Sequence, residues 1–472
     1  MSERYDVVVV GVGGMGSAAL YHLARRGKRV LGLERFDIPN GLGSSHGITR
    51  IIRLAYFEHP SYVPLVRRAY ELWQELEKET GEQLLHVTGA IEGGPRIFEG
   101  ALRSCREHGL PHEVLTGADV TERFPAYRLP AALQLLYQPD GGFVLPERCI
   151  LAHVNGALAH GAVVRTHEQV LGWDERGSGV SVQTDRGVIE SEKLVLTAGA
   201  YSQDVARLPS RSVTAQRQVL GWLEPLKPDL FAPERFPVFN VLLDEGHLYG
   251  FPVHGIPGFK LGFYDPDGER GDPDTISREV TLGDEVPLRR FAERYFPDGA
   301  GPTLELAACL FELSPDEHFL IDRHPETDAA VFGAGFSGHG FKFCSVVGEV
   351  LADLALDGDT RRDIGFLRLA DSHNRGLAEM DSSAGGRTRT SKDRSPTGPK
   401  PVASASSATP AGSASVGRVM PRPADRRAKI PAARPLRGRG LRPREDSAST
   451  CRRAARPSRA WSRRRAPGET RW

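Results

Sequence analysis

Asp6-Val7-Val8-Val9-Val10-Gly11-Val12-Gly13-Gly14-Met15-Gly16 is the stretch whose reading decides the fold. Its short, continuous β-branched run suits a strand buried on both faces of a parallel sheet. The glycines that follow match G-x-G-x-x-G: Gly11 permits a tight turn, Gly13 lets the backbone approach a pyrophosphate, and Gly16 allows a helix to pack closely on the strand. The helix is predicted from about Met15 to Arg26 and is stopped by Gly27, and Arg29-Val30-Leu31-Gly32-Leu33-Glu34 reads as a second strand. Together they form one βαβ unit. The free N–H groups at the helix start favour an anion. Glu34, 18 residues after Gly16, can accept hydrogen bonds from ribose hydroxyls and would repel a 2′-phosphate. The motif alone does not separate FAD from NAD.

The same pattern recurs further along. Lys193-Leu194-Val195-Leu196-Thr197-Ala198-Gly199-Ala200 reads as a buried strand running into a glycine turn. Ala329-Ala330-Val331-Phe332-Gly333-Ala334-Gly335-Phe336 does the same, with a helix predicted over about Ser345–Leu356. Leu65, Ala69, Leu72, Trp73 and Leu76 recur at helical spacing, and Gly81 ends that helix. Strand–glycine–helix units at the beginning, middle and end imply one discontinuous nucleotide-binding domain, expected over residues 1–84, 141–214 and 319–371 of an α/β fold. Residues 85–140 and 215–318 are then the expected second domain.

The net charge of +1 over 472 residues hides a split. Residues 381–472 carry 23 Lys and Arg against 6 Asp and Glu, whereas residues 1–380 carry 38 against 54. The tail, 372–472, has few large apolar residues and no apolar periodicity, so it is expected to be disordered. Nucleic-acid binding is one reading of its charge. Its Arg, Ala, Pro, Ser and Gly content favours a non-functional extension, such as out-of-frame translation of GC-rich sequence. The five cysteines, at 105, 149, 309, 344 and 451, are scattered and include no CxxC pair, which argues against a disulfide framework or a zinc site. The uncharged stretch Val7–His22 is too short to cross a bilayer, and Ser2-Glu3-Arg4-Tyr5-Asp6 is not the basic start of a secretory signal. A cytoplasmic protein without a membrane partner is expected.

Three further segments narrow the class. They are Ser44-Ser45-His46-Gly47-Ile48-Thr49-Arg50-Ile51-Ile52-Arg53, Cys309-Leu310-Phe311-Glu312-Leu313-Ser314-Pro315-Asp316-Glu317-His318-Phe319, and Gly335-Phe336-Ser337-Gly338-His339-Gly340-Phe341-Lys342-Phe343. In order and spacing they resemble the monomeric sarcosine oxidase and N-methyltryptophan oxidase family of FAD-dependent amine oxidases, over about residues 4–370. The resemblance implies a p-hydroxybenzoate hydroxylase-like architecture: a Rossmann-like FAD domain carries an α+β substrate domain with a mixed sheet, and the flavin ring lies between them. It also implies a thioether from Cys309 to the flavin, with Cys344 left to packing. Gly11, Gly13, Gly14, Met15, Gly16 and Glu34 would hold the nucleotide. Ser45, His46, Thr49, Arg50, Val170, Gly199, Gly338, His339, Gly340 and Lys342 complete the implied cofactor set.

By the same resemblance, Arg53 and Lys342 hold the substrate carboxylate, an anion that must be paired once desolvated. Arg50 and His46 flank the reacting centre, where positive charge favours neutral amine over ammonium. Lys260, in Phe259-Lys260-Leu261-Gly262, matches a lysine that promotes reaction with oxygen, and Tyr249 matches a substrate-pocket tyrosine. Tyr264 and Phe311 depart from the family pattern, which has histidine and tyrosine there, so a substrate bulkier than sarcosine is expected. The expected reaction is oxidation of a secondary amino acid by O2, giving imine, then formaldehyde and amino acid, and H2O2, by a monomer. A cyclic imino acid such as pipecolate, or a flavin dehydrogenase with another acceptor, is the alternative. Asp316-Glu317-His318 is read as structural, with no metal.

Overall fold

The computed structural model describes residues 3–209 and 212–369, so the basic tail 372–472 lies outside the described residues. The valine run forms the strand Glu3–Val10 inside an eight-stranded sheet. Val7 and Val9 face a helical layer, whereas Val8 and Val10 pack with Trp173, Val180 and Val182 on the other side. Both faces are dry, which is why the run does not alternate with polar residues. Glu3–Val10 pairs in parallel with Val30–Leu33 and with Gly187–Leu196. The parallel order continues outward to Val163–Arg165 and Ala330–Ala334. The hairpin Val170–Arg176 with Gly179–Thr184 adds antiparallel strands, and Leu320–Arg323 pairs antiparallel with Ala330–Ala334.

Helix Gly14–Arg25 packs against helices Pro146–Ala159 and Cys344–Asp357. Helix Tyr62–Thr80 buries Leu65, Ala69, Leu72, Trp73 and Leu76, and Gly81 ends it at φ 72° with its N–H bonded to the Glu77 carbonyl. Elements expected from the sequence are therefore present, with ends moved by a few residues. The strand expected to run into a glycine turn within 193–200 extends from Gly187 to Leu196. It begins earlier because residues 187–191 pair with the hairpin, and it stops before Gly199–Tyr201, which form a 3-10 turn.

A second sheet of nine strands draws on residues 90–138 and 214–313. It is mixed: Ala90–Gly93 runs parallel to Val238–Leu243, and the other pairings are antiparallel. Phe231, Phe236, Phe239, Phe259 and Phe296 stack into a fully buried aromatic core. Helix Leu282–Tyr295 covers that core with Phe291, and Thr281 and Asp284 form the capping box that starts it. A small third sheet, absent from the sequence reading, joins Arg50–Ile52, Gly142–Val144 and Leu85–Val87. It anchors the end of the 44–50 loop.

Candidate active site

A cavity of about 880 Å³ is lined by residues of both large sheets. At one end stand Gly11, Gly13, Gly14, Met15 and Glu34, with Val170 and Gly199 beside them. Gly11 holds φ 84°, and a Cβ there would lie 2.4 Å from the Thr197 carbonyl oxygen. Gly16 faces the protein rather than the cavity: a Cβ on it would lie 1.8 Å from the Gly11 carbonyl oxygen. A Cβ on Gly13 would meet nothing within 4 Å, so this glycine opens space for a ligand while Gly16 brings the helix onto the strand. Glu34 is buried, and its two oxygens accept the Val12 and Phe36 N–H groups at 2.9 and 3.0 Å. Burial raises its carboxyl and those N–H groups lower it, with a net rise. Glu168, a second buried acid that no motif marks, lines the same end.

Ser45, Arg50, Gly338, His339 and Gly340 also wall the cavity. The loop bearing Arg50 is pinned from two sides. Glu147 accepts the N–H groups of Gly47 at 2.6 Å and Ile48 at 3.1 Å. Lys260 Nζ donates to the carbonyls of Gly47 and Thr49, both at 2.7 Å, and to Thr49 Oγ1 at 3.2 Å. Between these anchors Ile48 sits at φ 72°, a strained conformation for a β-branched residue. Ser44 Oγ ties the loop to the Leu310 carbonyl on the strand Thr303–Leu313, and Arg50 donates to the carbonyls of Ser44 and Thr49. Lys260 is completely buried, and burial, then Arg50, drives its ammonium well below the ordinary lysine range.

Lys260, Thr49, His46 and Cys309 do not line the large cavity. His46 faces a smaller cavity of about 320 Å³ beside Gly47, Ile48, Glu147 and Trp222. Its Nε2 has no partner, and burial, Arg50 and Lys260 together push it down to about 3, so the ring is neutral. Cys309 lies on the same strand as Phe311 and clusters with Leu220, Trp222 and Tyr249. Burial raises its thiol, while Arg50 and Lys260 pull it down.

At the far end Arg53 and Lys342 come together. Arg53 is 3% exposed. Its Nη2 lies 3.0 Å from both Glu58 oxygens, its Nε lies 2.6 Å from Glu92, and Nη1 donates to the Ala55 carbonyl at 3.1 Å. Lys342 Nζ donates to the His339 carbonyl at 2.7 Å, and burial, then Arg53, pushes it down to about 7. His339 is held neutral by burial, at about 4, between the Tyr56 hydroxyl and the Glu317 carbonyl. Tyr249, Tyr264 and Phe311 line this end with Phe57, Asn240 and His247. Tyr264 donates to Glu317 at 2.9 Å, and His247 shares a 2.6 Å bond with Asn240. Asp316 bonds the His318 N–H, and the Ser314 hydroxyl bonds the His318 carbonyl. Among the described residues no group of three or more His, Cys, Asp or Glu could hold a metal ion.

A glycine-rich turn with a nearby acid, opening into a cavity that ends at buried cations, defines a dinucleotide-dependent oxidoreductase. The model of the FAD dependent oxidoreductase family matches residues 6–354. Monomeric sarcosine oxidase of Bacillus sp. (strain B-0618) is 41% identical, over 78% of this chain and 96% of that one. N-methyl-L-tryptophan oxidase of Yersinia pestis (strain Pestoides F) is 33% identical, over 78% and 99%. The solved open form of NikD, an unusual amino acid oxidase of nikkomycin biosynthesis, superposes with a TM-score of 0.69 at 27% identity, over 78% and 98%. The chain belongs to the FAD dependent oxidoreductase family, in its monomeric sarcosine oxidase and N-methyltryptophan oxidase group. No helix among the described residues is long and apolar enough to cross a membrane.

The residues fit FAD. The open space off Gly13 and the N-terminus of helix Gly14–Arg25 suit a pyrophosphate, and Glu34 suits a ribose.

Proposed function

We propose that this chain is an oxidase of N-methyl amino acids, with FAD bonded through Cys309, that passes electrons to O2 and releases H2O2. The observation that carries the substrate reading is the buried Arg53–Lys342 pair at the end of the nucleotide cavity. Lys342 bonds a carbonyl rather than a carboxylate, so an amino-acid carboxylate supplies an anion that Lys342 can hold as a point charge while it shares the Arg53 fork with Glu58 and Glu92. On this reading the nine-stranded sheet supplies most of the pocket wall, and the eight-stranded sheet with its helices carries the nucleotide.

Bound FAD supplies the two-electron oxidation of the C–N bond. Arg53 and Lys342 orient the amine by its carboxylate. Arg50 and Lys260 add positive charge that favours neutral amine, so no side chain need remove an ammonium proton after binding. Tyr249, Tyr264 and Phe311 exclude water from the reacting carbon, and these rings suit a side chain larger than that of sarcosine. Burial raises the Cys309 thiol overall, and Arg50 and Lys260 offset part of that rise toward the thiolate, the form that attacks an electrophilic carbon. Glu147 and Lys260 hold the 46–49 loop in its strained shape.

Peroxide and formaldehyde release should be measured with sarcosine, N-methyltryptophan, pipecolate and proline. The N-methyl compounds are expected to yield both products; silence from both would remove this reading. Lys342→Ala removes one charge-assisted contact worth about 1.5–3 kcal/mol. It is therefore expected to raise KM roughly ten- to hundredfold, with a smaller change in kcat. An unchanged KM in steady-state assays would take Lys342 out of the carboxylate site.

A further inference from the structure

The Arg53 guanidinium stands between two carboxylates on different elements. Glu58 reaches it from the loop before helix Tyr62–Thr80, with both oxygens 3.0 Å from Nη2. Glu92 reaches it from the strand Ala90–Gly93, with Oε1 2.6 Å from Nε. Lys342 is the second cation. Two cations and two carboxylates therefore balance in a site where Arg53 is 3% and Glu92 1% exposed.

The substrate proposed above brings a third carboxylate. Three anions against two cations in a dehydrated site are costly, because the low dielectric magnifies every uncompensated charge. Full ionisation of all three is therefore disfavoured, and the two protein carboxylates are unequally held. Burial pushes Glu58 up, but Arg53 above all, with Lys342, holds it at about 2. Neither Glu92 oxygen makes a well-aligned hydrogen bond; the Arg53 Nε contact and the neighbouring Asn240 amide are what lower its carboxyl. Burial drives its carboxyl up to about 7 against the pull of Arg53. The other groups facing it are Glu58, Lys342, Tyr56 and Cys105. Burial pushes the Tyr56 hydroxyl far up and the Cys105 thiol to about 12, so both stay neutral. Asn240 stands opposite Glu92 in the parallel register and lines the cavity. Water in the cavity thus comes within one side chain of Glu92.

We propose that Glu92 is the proton acceptor that offsets the substrate's charge: as an amino-acid carboxylate docks on Arg53 and Lys342, one proton from solvent settles on Glu92. Glu92 is then a positioning residue. It keeps Arg53 in place in the free enzyme, and it becomes neutral when the substrate takes its share of the guanidinium. The inference rests on the carboxylate reading of Arg53 and Lys342. Proton uptake means that affinity falls as pH rises above about 7, by up to about tenfold per pH unit for each proton taken up. Glu92→Gln fixes the neutral state and removes that part of the fall. A residue that only packs would leave the slope unchanged.

Lys342 lies near the same pH and can take up a proton of its own, so its contribution must be separated. The probe is methylthioacetate, the thioether counterpart of sarcosine, which has the carboxylate but no oxidisable amine. Titration calorimetry of the FAD-loaded enzyme at pH 8, in buffers of different ionisation heat, counts the protons taken up. Glu92→Gln is expected to take up about one proton fewer than wild type. The same difference is expected between Lys342→Met and Lys342→Met/Glu92→Gln, and Glu92→Asp should restore the lost proton. Equal uptake by wild type and Glu92→Gln, both retaining their flavin spectrum, would overturn the role of Glu92. Failure of wild type to bind methylthioacetate would instead remove the carboxylate site on which the inference rests.

Discussion

Arg53→Met is expected to lower kcat/KM for an N-methyl amino acid by about a thousandfold, the loss of a buried charge partner worth roughly 3–5 kcal/mol. The size follows from its surroundings. Arg53 is buried, offers a planar fork, and shares its pocket wall with Lys342, which alone can contribute only a point charge. The same substitution leaves Glu58 and Glu92 without their guanidinium. A fall in stability of similar size is therefore expected in denaturant titrations, and it must be separated from the loss of turnover. Arg53→Met/Glu92→Gln removes one of the stranded anions. It should regain part of the stability and none of the turnover. If the double variant regained turnover together with stability, Arg53 would be structural rather than substrate-binding.

The second large effect is expected at Lys260. Its ammonium is buried, donates to three oxygens of the 47–49 segment, and lies 4.4 Å from the centre of the Phe251 ring. Three acceptors around Nζ favour the ammonium against the downward push of burial, and a positive charge fixed in a dry site stabilises developing negative charge strongly, because no solvent reorganisation is needed. Lys260→Met is expected to slow the reaction of the reduced enzyme with oxygen by about a hundred- to a thousandfold. Anaerobic reduction by substrate, followed in a stopped-flow instrument, should change far less. Equal slowing of both half-reactions would mean that Lys260 acts only by holding the Gly47–Thr49 loop, and Lys260→Arg would then recover much of the rate.

Much of the nucleotide half was legible because its signals are local. Val7–Val10, the glycine turn and Glu34 lie within 29 residues, and a run buried on both faces stands out against alternating strands. Leu65, Ala69, Leu72, Trp73 and Leu76 betray their helix by spacing alone. The nine-stranded sheet was not legible as a set of pairings. Ala90–Gly93 joins Val238–Leu243 across well over a hundred residues, and no local pattern encodes that register.

The site divides the same way. Arg53, Lys342, Tyr249, Tyr264 and Phe311 could be named from family-like segments, and all five line the cavity. Glu92 could not. A single acid in a four-residue strand reads as solvent-facing, and only pairing on both sides and the approach of Arg53 bury it. Glu147 reads as an ordinary first-turn acid of helix Pro146–Ala159, the favourable end for a carboxylate. Its grip on Gly47 and Ile48 comes from a segment about 100 residues away. Glu58, Asn240 and His247 likewise belong to no motif and gain meaning only from what the fold sets beside them.

Intact-protein mass spectrometry under denaturing conditions, on wild type and Cys309→Ser, tests most directly whether the protein carries FAD bonded to Cys309. Wild type should run heavier than its polypeptide by the mass of one FAD, and Cys309→Ser should run at the bare polypeptide mass after releasing its flavin. Wild type at the bare mass, or a Cys309→Ser protein that still carries the added mass, would contradict it.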